Sequence, residues 1–198
     1  KGGSIEQEID SIYLQVVTTY TKESNDKKQV HKGIIEKFRI SNTLKIGKNE
    51  NVSIPFSFKL PIDTPMTLGK TRVWIQTGLD IKNAVDPDDK DYIRVAPSSL
   101  GEEVLKSVQE LGFVLRESEC EAAPRRLNSR LPFIQELEFV PRSGPFRGKL
   151  DELEIVFLPK SDSSMDILLQ IDRKVRGLGS FIAEKLNMDE TNVRLSVT

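Results

Sequence analysis

The sequence predicts an all-β protein with one or two short helices, built as two antiparallel β-sandwich units joined by a short linker. Three observations carry this. Apolar residues recur at every second position through most of the chain, the period of a half-buried strand. The alternating runs are short and separated by polar turns, which favours sandwiches over a parallel sheet. The long stretch at helical spacing begins only after residue 98, so the two halves differ in kind.

In "IYLQVVTTY", Ile12, Leu14, Val16, Thr18 and Tyr20 alternate with Tyr13, Gln15, Val17 and Thr19. After the turn "KESNDKK" comes "QVHKGIIEKFRIS", with Ile34, Phe38 and Ile40 expected on the buried face. "NVSIPFSFKLP" is the cleanest alternation: Val52, Ile54, Phe56, Phe58 and Leu60 share one face, and Pro55 on the other marks an edge strand or a bulge. "TRVWIQTGLDI" places Val73, Ile75, Leu79 and Ile81 together, opposite Trp74. Four or five strands before residue 82 fall short of the about seven of a sandwich. The opening "KGGS" reads as the inside of a hairpin, so a further strand or two is expected ahead of Lys1.

The second half opens with a helix near 99–111. Ser99 and Glu102 have capping-box spacing, Leu100, Val104, Val108 and Leu111 form the apolar stripe, and Gly112 sits at C′. Strands follow at "GFVLRES", "PFIQELEFVP", "ELEIVFLP", "MDILLQID" and "VRLSV", with a short helix expected near 178–186 from Leu178, Phe181, Ile182 and Leu186. The expected organisation is an N-terminal sandwich over 1–82, an acidic linker over 83–92 and a C-terminal sandwich over 93–198.

Composition excludes several functions. The net charge of −1 gives no bulk attraction to nucleic acid or acidic membranes. No apolar run approaches the ~20 residues that span a bilayer, so no integral membrane contact is expected. One cysteine, Cys120, and one histidine, His31, supply neither an internal disulfide nor the several Cys/His ligands of a zinc site. A reduced, cytoplasmic home fits. His31 reads as a solvated residue on a polar strand face.

Asp86, Asp88, Asp89 and Asp91 crowd the linker, and calcium is the first chemistry to test. An EF-hand loop needs carboxylate or amide side chains at positions 1, 3 and 5, Gly at 6 and Glu at 12. Counted from Asp86, position 5 is Lys90, position 6 is Asp91 and position 12 is Pro97; counted from Asp89, position 5 is Ile93. Both registers fail. Thirty acidic residues make any glycosidase-like pair uninformative. The chain has no G-x-S-x-G elbow, and "GLGS" at 177–180 lacks the phosphate-loop lysine. Glutamates beside Cys120 raise its pKa rather than activate it. No catalytic, cofactor-binding or metal-ligating residue is assigned.

One charge contrast stands out. Residues 124–149 carry Arg125, Arg126, Arg130, Arg142, Arg147 and Lys149 against Glu136 and Glu138, while residues 80–91 carry five Asp against Lys82 and Lys90. Independent solvated loops explain this. A sharper alternative folds Arg125, Arg126 and Arg130 onto the linker aspartates as a hinge latch, and a third binds an anionic partner. Neither patch is interleaved with the aromatics of a single-strand nucleic-acid surface.

The run "NVSIPFSFKLPIDTPMTLGKTRVWIQTGLDI" resembles the arrestin-type pattern of an apolar strand ending in Leu-Pro, a Thr-Pro turn and another strand. "VWIQTGLDIKNAVDPDDKDYIRV", "LGFVLRESECEAAPRRL", "LPFIQELEFVP" and "GPFRGKLDELEIVFLP" resemble the bacterial sporulation-control family (stage-zero sporulation protein M), and the likeness runs over roughly residues 2–198. It implies an arrestin-like fold of two β-sandwiches, cytosolic regulation of entry into sporulation, no known catalytic step and no catalytic residues.

The resulting expectation is a non-enzymatic regulator or scaffold working through protein–protein contacts, by strand addition at a sandwich edge or through a peptide in the groove between the units. The candidate edge is "SIPFSF", with Ser53, Ser57 and Lys59 facing outward. Such an edge could also pair two copies of the chain. The competing expectation is a metal-dependent or carbohydrate-acting β-sandwich enzyme.

Overall fold

A computed structural model of the chain describes residues 2–24, 27–80, 89–173 and 190–198. In order, the elements are β1 (Gln7–Ile9), β2 (Ser11–Ser24), β3 (Lys27–Ser41), β4 (Leu44–Ile46), β5 (Val73–Asp80), β6 (Asp91–Ile93), α1 (Ser99–Glu110), β7 (Phe113–Ala122), β8 (Phe133–Pro141), β9 (Leu150–Ser161), β10 (Ser164–Arg173) and β11 (Glu190–Val197), with a single 3-10 turn at Arg125–Leu127 among the described residues. The short helix expected near 178–186 lies outside the described residues, as does most of the 83–92 linker.

The strands run β11-β10-β9-β8-β7-β2-β5-β6 in one sheet, with β3 paired to β2 and a separate β1–β4 pair. Pairing is antiparallel except between β2 and β7, where Thr21 meets Glu121 in parallel. β2 thus joins the strands before the acidic segment to those after it. β6 folds back onto β5, with Ile75 opposite Asp91 and Trp74 opposite Tyr92.

Two apolar clusters form the core. In the first, Met66 and Val108 pack with Phe113, Leu137, Phe139, Leu153, Ile155, Met165 and Ile167. The second draws Val16, Ile35 and Val73 from the first half and Cys120, Leu131 and Phe133 from the second. Gly33 makes this junction possible: a Cβ there would stand 2.5 Å from the Phe133 ring. The predicted helix is present, with Val108 buried and Leu100 and Val104 packed on the first cluster. Its cap lies one residue earlier than the capping-box spacing suggests: the Ser98 side chain accepts from the Gly101 N–H. Gly112 follows at φ +91, the left-handed C′ position.

Two strand expectations need correction. In β3 the buried large apolar residue is Ile35, and Ile34 is 45% exposed. The register slips between Val16/Val17, which face Glu36 and Ile34. This bulge reverses the inward phase partway along the strand, so Phe38 keeps the predicted side and Ile34 does not. Residues 51–60, the cleanest alternation in the chain, form no strand. Phe58 stacks on Phe38 at 4.4 Å, but Phe56 is 54% exposed. A period of two selects a face; it supplies no ladder partner, and Pro55 removes one N–H from any ladder.

Candidate functional site

The segment 60–66 leaves the unpaired stretch through Pro61 and turns back on itself. Thr64 donates both its N–H (3.0 Å) and its hydroxyl (2.6 Å) to the Pro61 carbonyl. Met66 then docks on the Gln135 side chain: Gln135 Oε1 accepts from Met66 N at 2.8 Å and Nε2 donates to Met66 O at 2.7 Å. One amide side chain therefore plays the part of a neighbouring strand. The same Nε2 reaches Ser118 Oγ at 3.0 Å, and Thr71 Oγ1 donates to Ser118 O at 3.1 Å. Ser118 and Thr71 are buried, so this network satisfies groups that burial would otherwise leave unpaired.

Between this segment, residues 94–98, the 127–135 stretch and the β9–β10 turn lies a groove of about 610 Å³. Met66, Leu131, Phe133 and Met165 supply an apolar floor. Charge sits at its rims. On one rim Arg130 forks onto Asp63, with Nε to Oδ2 at 2.8 Å and Nη2 to Oδ1 at 2.6 Å. Arg130 Nη1 also donates to the Ile35 carbonyl at 3.1 Å and lies 3.4 Å from Glu36. The Asp63 carboxylate raises the arginine's already high pKa. On the other rim Asp166 is buried and accepts from Arg194 Nε at 2.9 Å and Ser196 Oγ at 2.7 Å, with Lys160 also paired to it. Hydrogen bonds from Lys160, then Ser196 and Arg194, hold its carboxyl well below the ordinary carboxylate range. Such a paired, hydrogen-bonded carboxylate stays ionised across physiological pH.

The predicted hinge residues fall out differently. Arg130 does tie the second half to the first, but through Asp63, Glu36 and the Ile35 backbone. Arg125 and Arg126 are exposed on the 3-10 turn. Asp89 Oδ1 accepts from Thr77 N at 3.0 Å, and Asp91 belongs to β6. Among the described residues no ion pair joins Asp89 or Asp91 to Arg125, Arg126 or Arg130; Asp86 and Asp88 lie outside those residues. Lys90 stands 5.6 Å over the Trp74 ring, so the described end of the acidic segment packs on β5. Ser53, Ser57 and Lys59 face outward as expected, but on unpaired backbone rather than on an edge strand. Lys59 meets Asp162 at 2.7 Å.

Cys120 is buried, and burial pushes its thiol up to about 12, with Thr18 and Thr71 hydrogen bonds opposing and Glu119 adding to the rise. It is inert at neutral pH. His31 is not the solvated residue its strand pattern suggests: it stacks on Tyr20 at 5.5 Å with Nε2 buried, because Tyr20 in turn stacks on Phe133 at 5.2 Å. No group of three or more His, Cys, Asp or Glu side chains among the described residues is arranged to hold a metal ion. No described helix is long and apolar enough to cross a membrane.

Sequence reasoning missed Asp63, Gln135, Asp166 and Arg194. The hint for Asp63 is a lone charge in the otherwise uncharged "PIDTPM" turn. Gln135 and the Asp166–Arg194 pair carry no local signal, since Met66 lies 69 residues from Gln135 and Arg194 lies 28 from Asp166.

Three comparisons place these features. The family model described as SpoOM protein matches residues 1–175. The sporulation-control protein spo0M of Bacillus subtilis (strain 168) is 42% identical over 195 residues, which covers 98% of this chain and 75% of that protein. The crystal structure of Spo0M, sporulation control protein, from Bacillus subtilis superposes with a TM-score of 0.84 at 38% identity, over 99% of this chain and 79% of that one. The all-β, arrestin-like fold expected from the sequence holds.

Proposed function

This chain belongs to the SpoOM protein family, and from that premise we propose that it is a non-enzymatic, cytoplasmic regulator of sporulation that works through protein contacts made at the groove. The observation that carries this reading is the groove's construction. Its apolar floor is continuous with the core, and its charged rims are fixed by buried or bidentate pairs, the features of a preformed recognition surface. The relative's name, sporulation-control protein, supports the developmental role. The halves before and after 83–92 share the β2–β7 pairing and the second core cluster, and we take Arg130 as the latch across them in place of the aspartate pairing. Ser53, Ser57 and Lys59 remain candidates for a second contact, with a protein partner or a second copy of the chain.

The test is a change that fills the groove without touching the core. Ile62 lines it and is 43% exposed; Val114, 51% exposed, serves as a control elsewhere on the surface. In a spore-forming host carrying this gene as its only copy, Ile62→Arg should change the frequency of heat-resistant spores about tenfold or more, the scale of losing a central contact. Val114→Arg should leave it unchanged. Equal sporulation by both variants, at equal protein levels, sinks the groove reading.

A further inference from the structure

We infer that the groove takes an extended, acidic peptide segment of a partner protein, held by side chains and not by strand addition; this rests on the groove being the contact surface proposed above. Two independent features lead there. The first is charge. Arg94, Arg130, Lys160 and Arg194 line the groove against only Asp63 and Asp166. Asp63 is occupied by Arg130, and Asp166 is shared by Lys160 and Arg194. Arg94 is exposed and has no carboxylate partner among the described residues. The rims therefore carry positive charge that a carboxylate from outside would complement.

The second feature is the supply of backbone donors. Strand addition needs a row of free N–H groups on the acceptor. Pro61, Pro65, Pro97 and Pro159 line the groove and have none. Other wall amides are already used: Thr64 N on Pro61 O, Met66 N on Gln135, Val95 N on Thr67 Oγ1 at 3.0 Å and Gly101 N on Ser98 Oγ. A bound segment finds few donors for its carbonyls, so its backbone stays solvated. An extended polyproline-II-like conformation meets that requirement without loss, leaving apolar side chains on the floor and carboxylates at the Arg94 and Lys160–Arg194 rims.

Fluorescence anisotropy with the full chain tests this. The probes are short labelled peptides sharing one leucine- and proline-containing sequence, with Glu, Gln or Lys at the same positions. The Glu peptide should bind about tenfold more tightly than either other and weaken as salt rises. Arg94→Glu should lose about tenfold, while Arg94→Lys keeps most of the affinity. N-methylation of alternate peptide amides should leave binding little changed. Equal binding of the three peptides, or no binding of any, overturns the acidic assignment; loss on N-methylation overturns the side-chain mode. Arg94-dependent binding to phosphatidylglycerol vesicles without peptide binding also overturns it, in favour of a lipid headgroup. Tight Glu-peptide binding alongside normal sporulation of Ile62→Arg would instead fault the function and spare the chemistry.

Discussion

Residues 133–141 and 51–60 both repeat apolar side chains along one alternating face, broken in the first by Gln135, yet the structure uses them in opposite ways. The first is a central strand between β7 and β9, and Phe133, Leu137 and Phe139 are almost wholly buried. The second has no strand neighbour among the described residues, and Phe56 stands 54% exposed. Alternation states which face of a segment is apolar. Whether that face is buried depends on ladder partners on both sides, and these come from residues far away in sequence.

Mutations can break this contrast. Phe139→Ala should cost about 3–5 kcal/mol, because it empties a filled site in a core that cannot collapse around it. Phe56→Ser should stay within about 0.5 kcal/mol, as expected for an exposed position. Urea midpoints at unchanged slope read both, and equal losses would show that 51–60 is packed as tightly as β8. The next effect is smaller. Gln135→Leu removes the side chain that serves as a strand for Met66 and leaves the Met66 N–H and carbonyl without their partner, at a cost of about 1–3 kcal/mol. Adding Thr71→Val should deepen that loss, since Thr71 Oγ1 still bonds the buried Ser118 hydroxyl and carbonyl in the single variant.

The smallest effect sharpens the contrast from the solvent side of the same sheet. Glu136 lies opposite Glu119 on β7, and burial, with repulsion from Glu121 and Glu119, holds its carboxyl above the ordinary 4.5. A carboxyl with a raised folded pKa favours the folded state fully below the unfolded value and loses that contribution as pH rises through the folded one. Glu136→Gln should therefore gain about 0.5 kcal/mol at pH 7, the scale of one like-charge cross-strand pair. The gain should vanish below about pH 4, where the carboxyl is protonated in both states. Melting temperatures of the two proteins across that range give the answer, and a gain that persists in acid would assign the effect to packing.

Much of the fold was legible because local pattern and global structure agree. The α1 stripe at Leu100, Val104 and Val108, the alternation of β2 and the strand runs at β7, β8, β9 and β10 each match what the structure buries or pairs, while Leu111 is exposed, β5 buries Trp74 as well as Val73, and Ile81 and the Leu79 side chain lie outside the described residues. The failures have physical causes. A bulge in β3 exchanged Ile34 for Ile35. A missing partner left 51–60 without a ladder. Three-residue strands such as β1, β4 and β6 are too short for any period to register. The groove was the least legible, since it is assembled from five separated segments, Arg194 on β11 among them, whose charges pair mostly across long sequence distances. Arg130 was singled out from charge density alone, and its partner proved to be Asp63 at 67 residues' separation.

The most direct measurement places a photo-crosslinking amino acid at Ile62 in the groove and, separately, at Tyr92, which is 65% exposed on β6 and does not line the groove. Both proteins are irradiated in cells entering sporulation. A groove that is the working surface gives a discrete protein adduct from position 62, absent from position 92 and suppressed by Arg94→Glu. Adducts of equal yield and identity from both positions, or an adduct at 62 indifferent to Arg94, would contradict it.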